Sequence, residues 1–397
     1  MNILVVCQHY WPEPFRLSDV CEGLVERGHK VTVVTDVPNY PEGFIYPEYR
    51  KGNRVQEKNG VKIYRTFTIG RRSSTLFRFL NYYSFSHSSR FFVKRKLKDE
   101  YDVVLCYQTS PVMMSSAGLA YAKKHGKKAL LYCLDLWPTS LRVGGVSPES
   151  LLYKYYFLVS KRYYNRADKL AVSSEGFGDY MEENFGIPKS ETVYIPQYAD
   201  NCFELEPTEK KDTLDLVFAG NIGKAQSVET LVKAAEILKD RKNIVWHVAG
   251  EGSSLGDMKE LAAECGLENI VFHGYKKNDE LKAIYENADA MIMTLTADPV
   301  ISLTLPLKVM SYMGSGRPII AAVDGAAAKE IERSGCGIVV SPENPVELAD
   351  AVLRFEMADN RRGLCQMAKA YYNRHFSREI FMDAIEKELE ALCDKNR

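Results

Sequence analysis

The sequence predicts an α/β protein built from two doubly wound parallel-sheet domains. The chain has 397 residues, more than the roughly 100 to 200 residues of one ordinary domain. Short apolar, β-rich runs alternate with segments of helical period, a pattern typical of parallel strands joined by right-handed helical crossovers. The pattern is interrupted once, by the polar segment 201–212, and then starts again.

The first half of the chain carries the alternation from its second residue onwards. Strands are predicted at 3–7, 31–35, 103–107 and 128–134, and helices at 17–27 and 111–124. Further short strands are predicted at 170–173 and 192–195. We therefore expect residues 1–200 to form the first domain and 201–212 to be a linker.

The second half repeats this organisation. Strands are predicted at 214–219, 244–249, 270–273, 290–294, 318–322 and 337–340. Helices are predicted near 228–239, 254–265, 279–287, 307–314, 345–357 and 361–375, with a final amphipathic helix near 378–394. The second domain is thus expected at 213–375 and a C-terminal helix within 376–397.

Composition excludes several classes of function. Lys plus Arg and Asp plus Glu both number 52, so no global field attracts nucleic acid. The nine cysteines are never spaced as CxxC, which argues against a disulfide framework or a zinc site. The N-terminal NILVVC is typical of a buried strand and not of a signal peptide, and the apolar stretch 151–160 is too short to span a bilayer. We expect a cytoplasmic protein with at most peripheral membrane contact.

The loops after the strands are where ligands bind in such folds. The loop 9–16 brings His9, a carboxylate and Arg16 to the end of the first strand, with Arg16 at a helix start that favours anions. The alternative is a proline-stiffened turn with aromatic packing. Asp135 follows the strand 128–134 and could accept a proton or hold a hydroxyl group, or could instead cap a helix.

A glycine-rich loop opens the second domain, with Gly220, Asn221, Gly223, Lys224 and Gln226. Glycines let backbone N–H groups approach a phosphate, while the helix dipole and Lys224 favour its charge. An ordinary strand-to-helix turn is the alternative.

The next turn contains Gly250 and Glu251 and superficially resembles a dinucleotide fingerprint. Its third glycine comes one place too late, and it lies in the second strand-to-helix unit of its domain. Both features argue against a nicotinamide oxidoreductase.

A short helix is predicted to begin after Leu305 and Pro306, with Lys308 in its first turn. A cation there opposes the helix dipole by roughly 0.3 to 1 kcal/mol. An anionic ligand nearby explains the position of Lys308 better than stability does.

Taken together, these motifs resemble the family-four retaining glycosyltransferases. The matching features are the WPE loop, RGH-x-VTVVT at 27–35, the GEG turn, the FHGY strand end and the P-x-K…YM-x-x-G-x-P-I segment. The DLWP run and the GNIG-x-x-Q loop further resemble bacterial L-fucosamine (FucNAc) transferases of capsule, O-antigen and colanic acid assembly.

The resemblance implies the GT-B architecture, in which two Rossmann-like domains face a cleft and the C-terminal helix crosses back. It also implies a UDP-sugar donor, retained anomeric configuration, no metal or other cofactor, and an undecaprenyl-diphosphate-linked acceptor at the inner face of the cell membrane. The catalytic candidates are then Asp135, His9, Lys224 and Lys308. The donor-binding candidates are Arg16, Gly220, Asn221, Gly223, Gln226, Gly250, Glu251, Tyr275, Leu305, Pro306 and Ser311.

The chain departs from the family at four donor-site positions. Two glutamates eight positions apart are replaced by Leu303 and Ser311, and an Arg and a Lys by Asn221 and Gln226. Two other functions therefore stay open: a non-catalytic sugar-nucleotide or lipid binder, and a sugar-nucleotide 2-epimerase. Transfer assays with labelled donors separate the first from an enzyme, and product analysis without acceptor reveals the second.

Basic and aromatic residues are mixed in the segment 65–98, as on an interfacial membrane surface. Arg71, Arg72 and Arg78 are the candidates for membrane or acceptor contact. The alternative is an ordinary helical pair with its aromatic residues in the core.

Overall fold

The computed structural model describes residues 1–72, 74–199 and 202–394. Residues 200 and 201, where the first domain is predicted to end and the linker to begin, lie outside the described residues, as do the last three residues of the predicted C-terminal segment. Contacts divide the chain into two compact units. The first comprises Met1–Ser173, Phe177–Ile195 and the residues from Met382 onwards, and the second comprises Ser174–Gly176 and Pro196–Phe381.

The first half of the chain contains eight strands in one sheet. They are β1 (Asn2–Val6), β2 (Lys30–Thr35), β3 (Val55–Lys58), β4 (Val61–Arg65), β5 (Val103–Gln108), β6 (Lys128–Cys133), β7 (Lys169–Val172) and β8 (Thr192–Tyr194). The helices are α1 (Leu17–Glu26), α2 (Thr75–Arg95), α3 (Ser116–His125), α4 (Ser140–Val143), α5 (Leu151–Tyr164) and α6 (Glu175–Tyr180).

The strand order of this sheet is β3-β4-β2-β1-β5-β6-β7-β8. Only β3 is antiparallel to its neighbour, and it lies at the edge. Every residue of β5 is buried, as expected for an apolar strand covered on both faces. Because the other strands are parallel, the loops after β1, β2 and β6 lie at the same edge of the sheet.

The second unit contains a six-stranded, fully parallel sheet. Its strands are β9 (Leu214–Ala219), β10 (Ile244–Ala249), β11 (Ile270–Gly274), β12 (Ala290–Thr294), β13 (Ile319–Ala322) and β14 (Gly337–Val340). The helices that follow in the chain are α7 (Val228–Ile237), α8 (Leu255–Glu264), α9 (Asn278–Asn287), α10 (Pro299–Ser302), α11 (Leu307–Gly314), α12 (Gly325–Ser334), α13 (Pro345–Met357), α14 (Arg361–His375) and α15 (Arg378–Asp394).

The order β11-β10-β9-β12-β13-β14 is that of a doubly wound Rossmann sheet, with its switch point between β9 and β12. Its core joins the sheet to helices such as α7 and α13, through Leu231, Trp246 and Phe355. The prediction of two parallel-sheet α/β units is confirmed.

One predicted helix is α-helical over only part of its length. The segment 111–124 begins with a 3-10 turn, Val112–Ser115, and only then continues as α3. The tighter turn places Val112, Met113 and Met114 in the core together, all at most 2% exposed.

The described part of the predicted linker packs on the second unit. The ring of Phe203 lies 5.2 Å from that of Tyr285, and the Phe203 N–H donates to the Ser315 hydroxyl at 3.1 Å.

The C-terminal helix crosses back, because α15 starts in the second unit and its residues from Met382 belong to the first. There, Glu386 accepts hydrogen bonds from Arg27 at 2.6 Å and His29 at 2.7 Å. Ile385 and Leu389 are completely buried. Among the described residues, no helix is both long and apolar enough to cross a bilayer.

Candidate functional site

Two loops of the second unit, after β9 and β10, meet closely at the carboxyl edge of the sheet. Gly250 has φ +142°, and a Cβ there would collide with the carbonyl oxygen of Gly220. A Cβ on Gly252 would collide in the same way with Ile222. The Ile222 N–H donates to the carbonyl of Glu251 at 2.8 Å. Glycine is therefore needed at both positions for the loops to form one surface.

Lys308 extends across this surface from the first turn of α11. Its Nζ donates to the Gln226 side-chain oxygen at 2.7 Å and to the Asn221 carbonyl at 3.3 Å. The ammonium group also lies 3.7 Å from the centroid of the Phe218 ring. A Cβ on Gly220 would lie 2.7 Å from Lys308 Cε, so this glycine leaves room for the side chain.

The charge of Lys308 is not neutralised by any carboxylate among the described residues. Its hydrogen-bond acceptors are two neutral oxygens. Burial of the ammonium group lowers the pKa of Lys308 to about 7. A bound diphosphate would supply the negative charge that the neighbours of Lys308 lack.

The structure thus brings five of the predicted donor-site residues together: Gly220, Asn221, Gln226, Gly250 and Lys308. The other predicted residues form no hydrogen bond with the Lys308 side chain in the described part of the chain. Gly223 directly precedes the 3-10 turn that begins at Lys224. Leu305 is buried, Pro306 is the N-cap of α11 and Ser311 is half-buried on that helix. The side chains of Lys224, Glu251 and Tyr275 are exposed.

In the first unit, His9 follows β1 and is buried. Its Nδ1 lies 3.2 Å from Glu13 Oε2, and its ring stacks on Phe15 with 4.9 Å between centroids. The other oxygen of Glu13 accepts the backbone N–H groups of Asn39 at 2.8 Å and Tyr40 at 2.7 Å. Glu13 is therefore fixed by the loops on both sides and holds one ring nitrogen of His9.

Asp36, directly after β2, joins this group. Ligand-type atoms of His9, Glu13 and Asp36 all lie within 4.8 Å of one another. Burial and the neighbouring charge of Glu13 raise the pKa of Asp36. The guanidinium of Arg65 donates to the Asp36 carbonyl at 3.2 Å, and its positive charge disfavours a metal ion here. The geometry favours a buried polar cluster, in which Asp36 accepts the Asn39 side-chain amide at 3.1 Å, over a metal site.

Asp135 follows β6, and β5 separates that strand from β1. Burial raises the pKa of Asp135, and the nearby polar side chains of Ser110 and Trp137 partly oppose the rise. The alternative of Asp135 as a helix cap is wrong, because α4 begins only at Ser140 with Thr139 as its N-cap. Asp135 thus lies at the ligand edge of the sheet, just after β6.

The arginines predicted for anion or membrane contact differ in exposure. Arg16 is the half-buried N-cap of α1. Arg71 is half-buried, Arg72 is exposed and lies 4.3 Å from the Phe77 ring centroid, and Arg78 is exposed on α2.

The predicted membrane segment 65–98 is wrong at its first residue. Arg65 is 5% exposed and bonded to Gln56, so it cannot contact a bilayer. The alternative holds in part: the described residues of the segment form one helix, α2, and not a pair, but Tyr82 and Phe85 are buried while Arg90 and Lys94 are exposed.

Sequence reasoning placed the carboxylate of Glu13 beside His9 but missed Asp36 and Phe218 as members of these sites. Asp36 had the same signal as Asp135, an acidic residue directly after a buried strand. Phe218 had none, because an aromatic residue in an apolar strand normally indicates core packing.

Comparison with known proteins identifies the family of both units. Residues 16–200 match the family described as Glycosyltransferase Family 4, and residues 213–356 match Glycosyl transferases group 1. The putative colanic acid biosynthesis glycosyl transferase WcaI of Escherichia coli K12 is 22% identical over 373 residues, covering 87% of this chain and 89% of WcaI.

Solved structures agree on the fold. Sucrose-phosphate synthase from Thermosynechococcus elongatus superposes with a TM-score of 0.76 at 16% identity, covering 99% of both chains. Anabaena HepE in complex with UDP superposes with a TM-score of 0.70 at 14% identity, covering 98% of this chain and 100% of HepE. With its two units matching the two family descriptions, the chain belongs to the group 1/family 4 glycosyltransferases and is an enzyme of the GT-B fold.

Proposed function

We propose that this glycosyltransferase moves a sugar, such as the N-acetylated amino sugar L-FucNAc, from a UDP-sugar to an undecaprenyl-diphosphate-linked saccharide in surface polysaccharide assembly. The relative WcaI, named for colanic acid biosynthesis, supports the role in polysaccharide assembly. The complex of HepE with UDP supports the nucleotide. The protein then works at the inner face of the cell membrane, on which it is peripheral.

The observation that carries the proposal is Lys308 above the glycine loops of the second unit. A diphosphate on this surface meets the Lys308 ammonium group and the backbone N–H groups of the loops after β9 and β10. These donors stabilise the charge that develops on the diphosphate as the sugar leaves. Lys224, exposed at the start of the same loop-to-helix connection, adds a second cation.

Transfer proceeds with retained anomeric configuration and without a metal. The leaving diphosphate itself helps to accept the proton of the acceptor hydroxyl. Asp135 or His9, both at the ligand edge of the first sheet, orients that hydroxyl or takes up its proton.

The donor site is tested by calorimetric titration of UDP into the parent and into Lys308→Ala. The substitution removes a charge-assisted contact, so binding should weaken by roughly 1.5 to 3 kcal/mol. Lys282→Ala is the matched control. Lys282 is exposed on α9, where its ammonium group pairs with the Glu286 carboxylate at 3.7 Å. An unchanged affinity of Lys308→Ala for UDP excludes Lys308 from the donor site.

The donor sugar is tested by thermal-shift screening against a panel of nucleotide sugars. A ligand that binds only the native state raises the apparent stability by RT ln(1 + [L]/Kd). A donor that shifts the melting temperature then enters transfer assays with lipid-linked acceptors.

A further inference from the structure

Side chains of two helices of the first unit, α2 and α5, meet in the first half of each helix. Phe79 stacks on Tyr156 with 6.1 Å between centroids, and the Tyr83 hydroxyl lies 3.4 Å from that of Tyr155. These contacts place the beginnings of the two helices together. Nearer their other ends, a cavity of about 900 Å³ is lined mostly by α3 and the loop after it. The two helices contribute Arg90, Lys94 and Arg95 of α2, and Tyr163 and Arg166 at and just beyond the end of α5.

Apolar side chains at the beginnings of both helices, and Leu158 in the middle of α5, face the solvent. Leu151 is 86% exposed, Leu158 68% and Leu76 65%. Leu80, Leu152 and Tyr155 are also exposed. Leu76 and Leu80 share a helix face with Phe79 and Tyr83, the residues that contact α5. The exposed side chains are therefore neighbours on one surface, and a contiguous apolar patch of this kind marks an interaction site.

The same two helices carry positive charge only. They contain Arg78, Arg90, Lys94, Arg95, Lys154, Lys161 and Arg162, and no Asp or Glu, in a chain whose 52 basic and 52 acidic residues balance. One carboxylate, Asp168, lines the cavity at their ends, and it is paired with Lys128 at 2.8 Å. Lys154 also lies 3.5 Å from Glu149, which precedes α5, so the positive charge of this surface is only partly compensated.

We propose that α2 and α5 together form the surface that docks on an anionic lipid bilayer. The exposed leucines at the helix beginnings insert among the acyl chains, and the basic side chains and the cavity at the helix ends hold phosphate headgroups. Apolar insertion combined with positive charge is what an anionic membrane interface selects. The inference rests on the membrane location in the proposed function, and it assigns the insertion to α5, which the sequence prediction left out.

The charge of this surface argues against a second copy of the chain as its occupant. A second copy of the chain would bring an equally basic pair of helices, and like charges oppose that contact. A bilayer supplies both the negative charge and the apolar phase, so it matches both halves of the surface.

The test is co-sedimentation of the full chain with vesicles of phosphatidylcholine alone or mixed with phosphatidylglycerol. The parent should bind the mixed vesicles more strongly. Leu151→Ser with Leu158→Ser should lower this binding about tenfold, because the inserted apolar area is lost. The matched control is Val346→Ser with Met357→Ser on α13, where side chains 58% and 76% exposed lie outside the proposed surface and binding should not change.

A charge variant tests the other half of the surface. Lys154→Gln, Lys161→Gln and Arg162→Gln together should reduce binding to the mixed vesicles about a hundredfold and leave the weak binding to phosphatidylcholine unchanged. Arg71→Ser with Arg72→Ser should have the smaller effect, because Arg71 is half-buried and Arg72 stacks on Phe77.

Three results would overturn the proposal: a parent that binds neither kind of vesicle, a leucine variant that binds as the parent does, or equal binding of the parent to both kinds of vesicle. A parent dimer that the leucine variant dissociates would instead assign the patch to self-association and overturn docking. UDP titrations of the same proteins keep the two proposals apart. Vesicle binding without UDP binding would contradict only the donor site, and UDP binding without vesicle binding only the docking surface.

Discussion

Lys308 couples nucleotide binding to pH. In the free protein, burial lowers its pKa to about 7, and a bound diphosphate favours the charged ammonium. Binding of UDP should therefore take up a proton above pH ~7, and the affinity should fall by up to about tenfold per pH unit as the pH rises. Calorimetry in buffers of different ionisation enthalpy measures this uptake.

The stability of the ligand-free protein should change with pH in the opposite direction to the UDP affinity. Because the folded pKa of Lys308 lies below the unfolded value of about 10.4, the unfolded chain binds more protons between the two values, and stability rises with pH there. Lys308→Arg is the control, since a guanidinium stays charged and should remove both trends. A UDP affinity that is constant from about pH 7 to 9 contradicts this linkage.

Asp135→Asn separates chemistry from packing, because it preserves shape and removes charge. If Asp135 acts on the acceptor hydroxyl, turnover should fall by roughly 10² to 10⁴ while UDP affinity stays at the parental value. Steady-state kinetics and UDP titration measure the two effects. Near-parental turnover would leave His9 as the base, and a loss of thermal stability would give Asp135 a structural role.

Glu13 is expected to position His9. Its Oε2 holds Nδ1 of His9, which leaves Nε2 free to act on a ligand. Glu13→Gln should shift the tautomer of His9, seen in the ¹⁵N NMR shifts of the ring, and lower turnover by roughly 10² or more if His9 is the base. The double variant with His9→Gln should lose no more than His9→Gln alone. An unchanged ring tautomer contradicts the positioning role.

At the scale of single elements, the apolar runs predicted β9, β10, β12 and β14 at their observed bounds, because each run is short, apolar and bounded by turn residues. The β3–β4 hairpin was missed, although its signal is present. Asn59 and Gly60 have φ of 49° and 78°, and Asn-Gly is the preferred pair for such a two-residue turn. Helix α12 was missed because Ile331 is the only large apolar residue among its described buried residues; the others are Ala326, Ala327, Glu330 and Ser334.

The sites were predictable as loops but not as contacts. Glycines after strands indicated the loops that hold Gly220 and Gly250. The hydrogen bond from Lys308 to Gln226 joins residues 82 positions apart, and no local pattern encodes such a contact. Arg65 shows the reverse error. Its basic and aromatic neighbours suggested a surface, whereas its place at the end of β4 buries it.

For the whole molecule, α15 is the element that returns the chain to its first unit. Leu389→Ala should destabilise that unit by about 2 to 5 kcal/mol, since a fully buried leucine is removed. Urea unfolding followed by fluorescence in a Trp246→Phe background reports the first unit, which holds Trp11 and Trp137. Ile380→Ala, at a residue 39% exposed, is the control and should change little. An equal effect of both substitutions contradicts the assigned role of α15.

The return of the chain also sets an order of events during biosynthesis. The first unit needs the residues from Met382, which leave the ribosome only after the whole second unit has been made. At about 5 to 20 residues per second, the stretch from Pro196 to Phe381 takes roughly 10 to 40 s to synthesise. During that time the surface on which Ile385 and Leu389 of α15 pack in the finished first unit stays uncovered. The unit translated first is therefore completed last, and nascent chains stalled before Met382 should carry a binding site for chaperones that the finished enzyme lacks.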